Sequence, residues 1–87
     1  MTNEEIYELL IDELHDSLWG ELSFSEEDIR WGYEGDSFDE DMSDKMYTAY
    51  CDDTELIEEV LNNNNIGYTI YDYTQEGESS SFYISIE

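Results

Sequence analysis

The sequence predicts an α+β domain: an N-terminal amphipathic helix, a mostly antiparallel sheet of about four strands, and a second helix before a C-terminal β-hairpin. Three observations predict it. Apolar residues recur at helical spacing from Ile6 to Leu18 and again from Leu56 to Leu61. β-rich segments at 68–74 and 80–86 flank a short loop containing Gly77. No proline and no Gly/Ser linker divides the 87 residues, so 1–87 read as one domain with helices covering one side of the sheet.

Each element has its own warrant. Thr2 and Glu5 have the spacing of a capping box. Ile6, Leu9, Leu10, Leu14 and Leu18 follow on one face, so a helix is expected over 3–19, with Gly20 as its terminator. Its other face carries Glu5, Glu8, Asp12 and Asp16. Like charges four residues apart destabilise a helix, and Asp16 stands where the macrodipole prefers a cation. Ser25-x-x-Asp28 fits a second helix cap, yet Ile29, Trp31 and Tyr33 alternate, and Gly32 and Gly35 disfavour a helix. A strand is therefore expected over 28–34, then an acidic loop through Gly35, Asp36, Asp39, Glu40, Asp41 and Asp44. Residues 45–51 alternate again and read as a second strand. Asp53 or Thr54 then caps a helix whose inward face is Leu56, Ile57, Val60 and Leu61, ended by the Asn62–Asn65 run and Gly67. Tyr68–Thr74 and Ser80–Ile86 form the hairpin through a loop at Gln75–Ser79.

Charge sets this chain apart. It holds 25 acidic side chains against 2 basic ones, Arg30 and Lys45, for a net charge of -23. Self-repulsion on that scale opposes compaction, and acidic chains poor in aromatics are generally disordered. Here 39% of residues are hydrophobic and 15% aromatic, enough for one small core that added salt should stabilise. Residues 1–44 contain 16 of the acids, which places most of the field in the N-terminal half. No apolar run reaches the length of a membrane span. Glu4 and Glu5 stand where a secretory signal carries Lys or Arg, and the single cysteine excludes an internal disulfide. A cytoplasmic protein with no membrane contact is expected.

Familiar chemistry is missing from the sequence. The only histidine, His15, lies among Asp12 and Asp16, away from Cys51, so no nucleophile–base pair is apparent. His15 reads as a partly exposed polar residue and Cys51 as a small buried hydrophobe. No P-loop, dinucleotide fingerprint or zinc spacing occurs, and no cofactor is expected. An EF-hand register beginning at Asp39 meets Ser43, Asp44 and Tyr50 where an acid, Gly and Glu belong, and one beginning at Asp36 meets Phe38 at position 3. Direct nucleic-acid binding would require cations to neutralise phosphates, and two are too few.

A surface this negative can instead imitate a nucleic acid. Duplex DNA carries one charge per about 1.7 Å of axis, so the net charge corresponds to roughly 39 Å of duplex. Residues four apart on a helix are separated by about 6 Å, close to two phosphate steps along a strand, about 6.8 Å. Glu5, Glu8, Asp12 and Asp16, extended by Asp36, Asp39, Glu40, Asp41 and Asp44, thus form the expected partner-binding track. Trp31, Tyr33 or the Tyr71/Tyr73 pair are the expected surface anchors beside it.

In its length, its charge and its Tyr/Trp load beside Glu4-Glu5, Glu26-Glu27-Asp28 and Asp39-Glu40-Asp41, the chain resembles a class of small acidic inhibitors from phages and mobile elements. These are the DNA-mimicking anti-CRISPR and anti-restriction proteins. The resemblance implies a non-enzymatic inhibitor that occupies the basic DNA-binding surface of a defence nuclease, a CRISPR effector or restriction enzyme, often at its PAM-reading site. Two other readings fit the composition. One is an immunity protein or antitoxin neutralising a basic toxin nuclease; the other is a small acidic adaptor or cation-binding module. A solvated acidic face that only maintains solubility needs a net charge nearer 2–8 in magnitude.

Overall fold

A computed structural model of the chain describes residues 1–32, 40–72 and 81–87, with side chains in the second helix described from Tyr47 onward. The elements are α1 (Asn3–Leu14), a 3₁₀ turn (His15–Ser17), β1 (Glu21–Phe24), β2 (Ile29–Gly32), α2 (Glu40–Asn63), β3 (Tyr68–Asp72) and β4 (Ser81–Ile86). All strand pairs are antiparallel, in the spatial order β1-β2-β4-β3. The α+β class and the order helix, two strands, helix, hairpin strands are as the sequence predicts. Among the described residues no helix is long and apolar enough to cross a membrane.

The capping box forms as the spacing predicts. The Thr2 hydroxyl accepts the Glu5 N–H at 3.2 Å, and the Glu5 carboxylate accepts the Thr2 N–H at 3.2 Å. Ile6, Leu10 and Leu14 then bury one face of α1, each contributing about 1.5–3 kcal/mol of apolar transfer. The helix stops at Leu14 instead of continuing to 19. His15 takes a positive φ of 43° as the C-cap, its N–H still bonded to the Ile11 carbonyl. That conformation is uncommon for a non-glycine residue, and tertiary contacts anchor the chain just downstream of it.

Those contacts centre on Asp53. Its carboxylate is fully buried and accepts the Trp19 and Gly20 N–H groups, each at 2.9 Å, and the Trp31 indole N–H at 2.7 Å. Burying a carboxylate is tolerable only when such donors replace its water. Gly20 is required by proximity: a Cβ there would collide with the Trp31 ring. Its role is therefore close approach to the indole, not the helix termination expected of it.

Two strand assignments change. Residues 45–51, expected as a strand, belong to α2, and the expected acidic loop gives Glu40, Asp41 and Asp44 to the same helix. A short dense apolar run satisfies both period 2 and period 3.6, and burial decides between them. Ala49, Asp53, Ile57 and Leu61 are all buried at steps of four, and Tyr50 sets its ring edge against Trp31 and Phe82. Asp53 and Thr54 are accordingly mid-helix residues; the Thr54 hydroxyl donates to the Tyr50 carbonyl at 2.7 Å instead of capping. The strand missed by the sequence reading is β1. Ser25 and Asp28 fasten the β1–β2 turn: the Ser25 N–H meets the Asp28 carbonyl at 2.8 Å, and the Ser25 hydroxyl accepts the Asp28 N–H at 3.3 Å. A pattern that fits a helix cap thus closes a hairpin.

Both helices pack on one face of the sheet. Leu22, Ile29, Trp31, Phe82 and Ile84 point inward to meet Ile6, Leu10, Ile57 and Leu61, and Trp31 stacks on Phe82 at 5.0 Å. The opposite face of the sheet carries no helix among the described residues. Across it the register aligns Ser23, Arg30, Tyr83 and Tyr71, one from each strand.

Candidate functional site

The outer side of the helical layer is the acidic surface. On α1, Glu4, Glu5, Glu8, Asp12 and Glu13 are exposed, because Ile6, Leu10 and Leu14 fix the opposite face inward. Glu4, Glu8 and Asp12 follow one another at steps of four, about 6 Å apart along the axis. On α2 the buried stripe through Ala49, Asp53, Ile57 and Leu61 turns Asp52, Glu55 and Glu59 outward in the same way. No Lys or Arg occurs in α1 or anywhere in α2 after Lys45. Arg30, the other cation, lies on the sheet, where its Nε donates to Asp28 at 3.0 Å.

The expected site residues fare differently. Glu5, Glu8 and Asp12 are exposed on one side of α1, as the sequence predicts. Glu5 serves the capping box as well: the hydrogen bonds from the Thr2 N–H and hydroxyl hold its carboxyl below the usual range. Asp16 is exposed but stands in the 3₁₀ turn, past the end of α1, so it does not continue the helical row. Glu4 takes its place at the other end. Glu40, Asp41 and Asp44 lie in α2, and their side chains are outside the described residues, as are Tyr33, Asp36, Asp39, Tyr73 and the loop at Gln75–Ser79.

The two tryptophans end in opposite environments. Trp31, expected as a surface anchor, is 1% exposed and belongs to the core, where it donates to Asp53. Its alternation with Ile29 on a strand is the signal that places it inward. Trp19, expected inside a helix, is 67% exposed just beyond the 3₁₀ turn. The helix ending at Leu14 releases it to the surface. Tyr71 is 46% exposed and stacks on Tyr83 at 4.9 Å, but on the open face of the sheet, not beside the acids. Asp52, Glu55 and Glu59 lie outside the expected track, which the concentration of 16 acids in residues 1–44 placed in the N-terminal half.

His15 is an exposed cap residue. Cys51 is a free thiol and is half-buried, not fully buried as expected. Among the described residues no group of three or more His, Cys, Asp or Glu side chains is arranged to hold a metal ion. No protein-family model matches the chain, and neither a curated protein nor a solved structure proved similar to it.

Proposed function

We propose that this protein is a non-enzymatic inhibitor that imitates nucleic acid and occupies the basic DNA-binding site of a bacterial defence nuclease. One observation carries the reading: the described carboxylates on the outer faces of both helices are exposed, with no Lys or Arg in α1 and none in α2 after Lys45. A net charge of -23 equals that of roughly 39 Å of DNA duplex at one charge per about 1.7 Å. Fixed rows of carboxylates also cost less to order against a Lys/Arg cleft than a flexible acidic tail would.

The physics of such an encounter follows from the charge. Long-range attraction steers the two surfaces together, and each carboxylate paired with a partner cation leaves the screened solvent. Trp19 supplies a large apolar contact close to the end of the α1 row, of the kind that concentrates binding energy in an interface. The partner read by this chemistry is a basic nucleic-acid-binding protein, a CRISPR effector or restriction enzyme.

The test is competition. Purified CRISPR effectors and restriction enzymes, loaded with labelled target DNA, are titrated with this protein at several salt concentrations. Mimicry requires DNA to be displaced at stoichiometric inhibitor, with an affinity that falls steeply between 50 and 200 mM salt, on the order of 10³-fold for six or more charge contacts. Retained DNA binding with the inhibitor bound at saturation overturns the reading.

A further inference from the structure

β1 stands at one edge of the sheet, and the turn that follows it fixes where its backbone groups point. The Ser25 N–H donates to the Asp28 carbonyl at 2.8 Å, which makes these residues a hydrogen-bonded pair. Alternation then commits the backbone of Ser23 and Glu21 to β2, opposite Arg30 and Gly32. The N–H and C=O groups of Leu22 and Phe24 therefore point away from the sheet. Among the described residues nothing bonds to them. Side chains alternate with the same period. Those of Leu22 and Phe24 lie on the helical side of the sheet, and those of Glu21 and Ser23 on its open face.

An open groove of about 400 Å³ accompanies that edge, between β1 and the flank of α1. Its apolar lining is Tyr7, Ile11, Leu18 and Leu22; its acids are Asp16 and Glu21, with the His15 imidazole beside them. Ile11 is 36% exposed one turn along the helix from Tyr7, and the 43% exposed Phe24 meets the Tyr7 ring at 4.9 Å. Asn3 holds the end of β1 beside the helix by donating to the Ser25 and Glu26 carbonyls at 3.0 and 3.1 Å. Glu4 and Glu8 stand three residues before Tyr7 and Ile11, so the acidic row of α1 borders the groove. β1 contains neither Pro nor Lys, the residues that commonly blunt an exposed edge. A second copy seated here would set two such rows together on bodies each of charge -23. A cationic strand is attracted by the same field.

We propose that the free edge of β1 binds an extended segment of the basic partner by antiparallel strand addition, with Leu22 and Phe24 supplying the backbone hydrogen bonds. Residues of the segment opposite Leu22 and Phe24 point to the helical side, so they are apolar and cover Tyr7 and Ile11. Residues opposite Glu21 and Ser23 point to the open face. There a Lys or Arg meets Glu21, and a neutral residue fits opposite Ser23, whose neighbour on β2 is Arg30. Main-chain pairing gives affinity, and alternate side chains give specificity. This rests on the basic partner inferred above and adds a contact of its own beside the helical acids.

The experiment uses the intact protein and the capped heptapeptide Thr-Val-Thr-Val-Lys-Val-Lys, followed by amide NMR. Strand addition predicts shift changes concentrated on β1, Tyr7 and Ile11, and amide exchange at Leu22 and Phe24 slowed at least about fivefold at saturation. In the antiparallel arrangement the valine N–H groups face β1. The peptide N-methylated at its valines should therefore bind at least about tenfold more weakly than one N-methylated at its threonines and lysines, which has the same charge. Ile11→Ser should weaken binding at least about threefold by removing apolar cover, while the Leu10 and Leu14 amides stay protected. Equal affinity of the two methylated forms, or the reverse order, overturns the proposal. So does the absence of any change at millimolar peptide, and so do shifts spread over the acids of α1 and α2 without β1. Protection of Leu22 and Phe24 that depends on protein concentration without peptide assigns the edge to a second copy and also overturns it. The peptide assay contains no nuclease, so DNA displacement can fail while strand addition succeeds, and the reverse.

Discussion

The helical layer and the open face of the sheet are opposite surfaces of one small body, and their chemistry differs sharply. Along the helices Glu4, Glu8, Asp12, Asp52, Glu55 and Glu59 face solvent. Across the sheet the central row is Ser23, Arg30, Tyr83 and Tyr71, hydroxyl groups and one of the chain's two cations, with Glu21 an exposed acid on the same face of β1. Solubility alone has no reason to sort residues this way. Repulsion among like charges would favour spreading them evenly. Concentrating them on helices, at the spacing that hurts helices most, is an arrangement that stability opposes and that a cationic partner would reward.

The largest expected effect comes from the group that joins the two layers. Asp53→Ala removes the common acceptor of the Trp19, Gly20 and Trp31 N–H groups and leaves the Trp31 indole N–H buried without a partner. The expected loss is about 2–5 kcal/mol, from hydrogen bonds to a charged acceptor worth about 1.5–3 kcal/mol each, against a total of about 4–13 kcal/mol for a chain of this length. Urea unfolding should show a collapsed midpoint; a shift under 1 kcal/mol would mean the carboxylate is not what holds the helical layer to the sheet. Gly20→Ala should act at the same junction, destabilising by about 1–3 kcal/mol through overpacking against Trp31.

Charge reversal tests the contrast between the surfaces directly. The triple change Glu4→Lys, Glu8→Lys and Asp12→Lys should weaken partner binding by at least about 100-fold, or roughly 2.7 kcal/mol. Tyr71→Ala together with Ser23→Ala on the sheet should change it less than about threefold. Equal losses from both sets, measured by titration calorimetry, would erase the functional difference between the two faces. Stability should move the other way. Glu8→Lys alone turns two repulsive neighbours into attractive ones, and each such pair is worth about 0.3–0.5 kcal/mol. A variant that folds better and binds worse is the signature of a surface kept for binding.

The smallest effect is local and concerns pH. The Thr2 hydrogen bonds depress the carboxyl of Glu5 in the folded chain. Its contribution is therefore present above the ordinary carboxylate range and is lost as pH falls through that lowered value. Exchange of the Glu5 amide should accelerate over that acidic window while amides at Leu10 and Leu14 do not follow. At the alkaline end the sign reverses. Burial, followed by the charge of Asp72, pushes Tyr50 up, so the stability it provides is intact below pH of about 10 and declines as pH rises through the raised value.

Much of this architecture was legible along the chain. The capping box, the buried face of α1, the strands of the C-terminal half and the α+β class all depend on local periodicity, which sequence carries. So does the exposure of Glu5, Glu8 and Asp12, since fixing Ile6, Leu10 and Leu14 inward fixes the acids outward. Residues 45–51 resisted the same treatment because apolar residues so closely spaced fit a strand and a helix equally. β1 escaped because four residues hold too little alternation to register.

By itself the sequence determined the net charge, the helical spacing of the N-terminal acids, and a core able to fold despite them. These are sums and short-range patterns, set by composition and by the geometry of a helix turn. Tertiary structure alone decided where α1 ends, which tryptophan is buried, and that α2 adds its own acids to the surface. Each of those outcomes depends on groups distant in sequence. Asp53 gathers donors 22 to 34 residues away, from the backbone beside the exposed Trp19 and from the buried indole of Trp31. A buried carboxylate must find its hydrogen bonds wherever the fold can bring them, and no local pattern records where that will be.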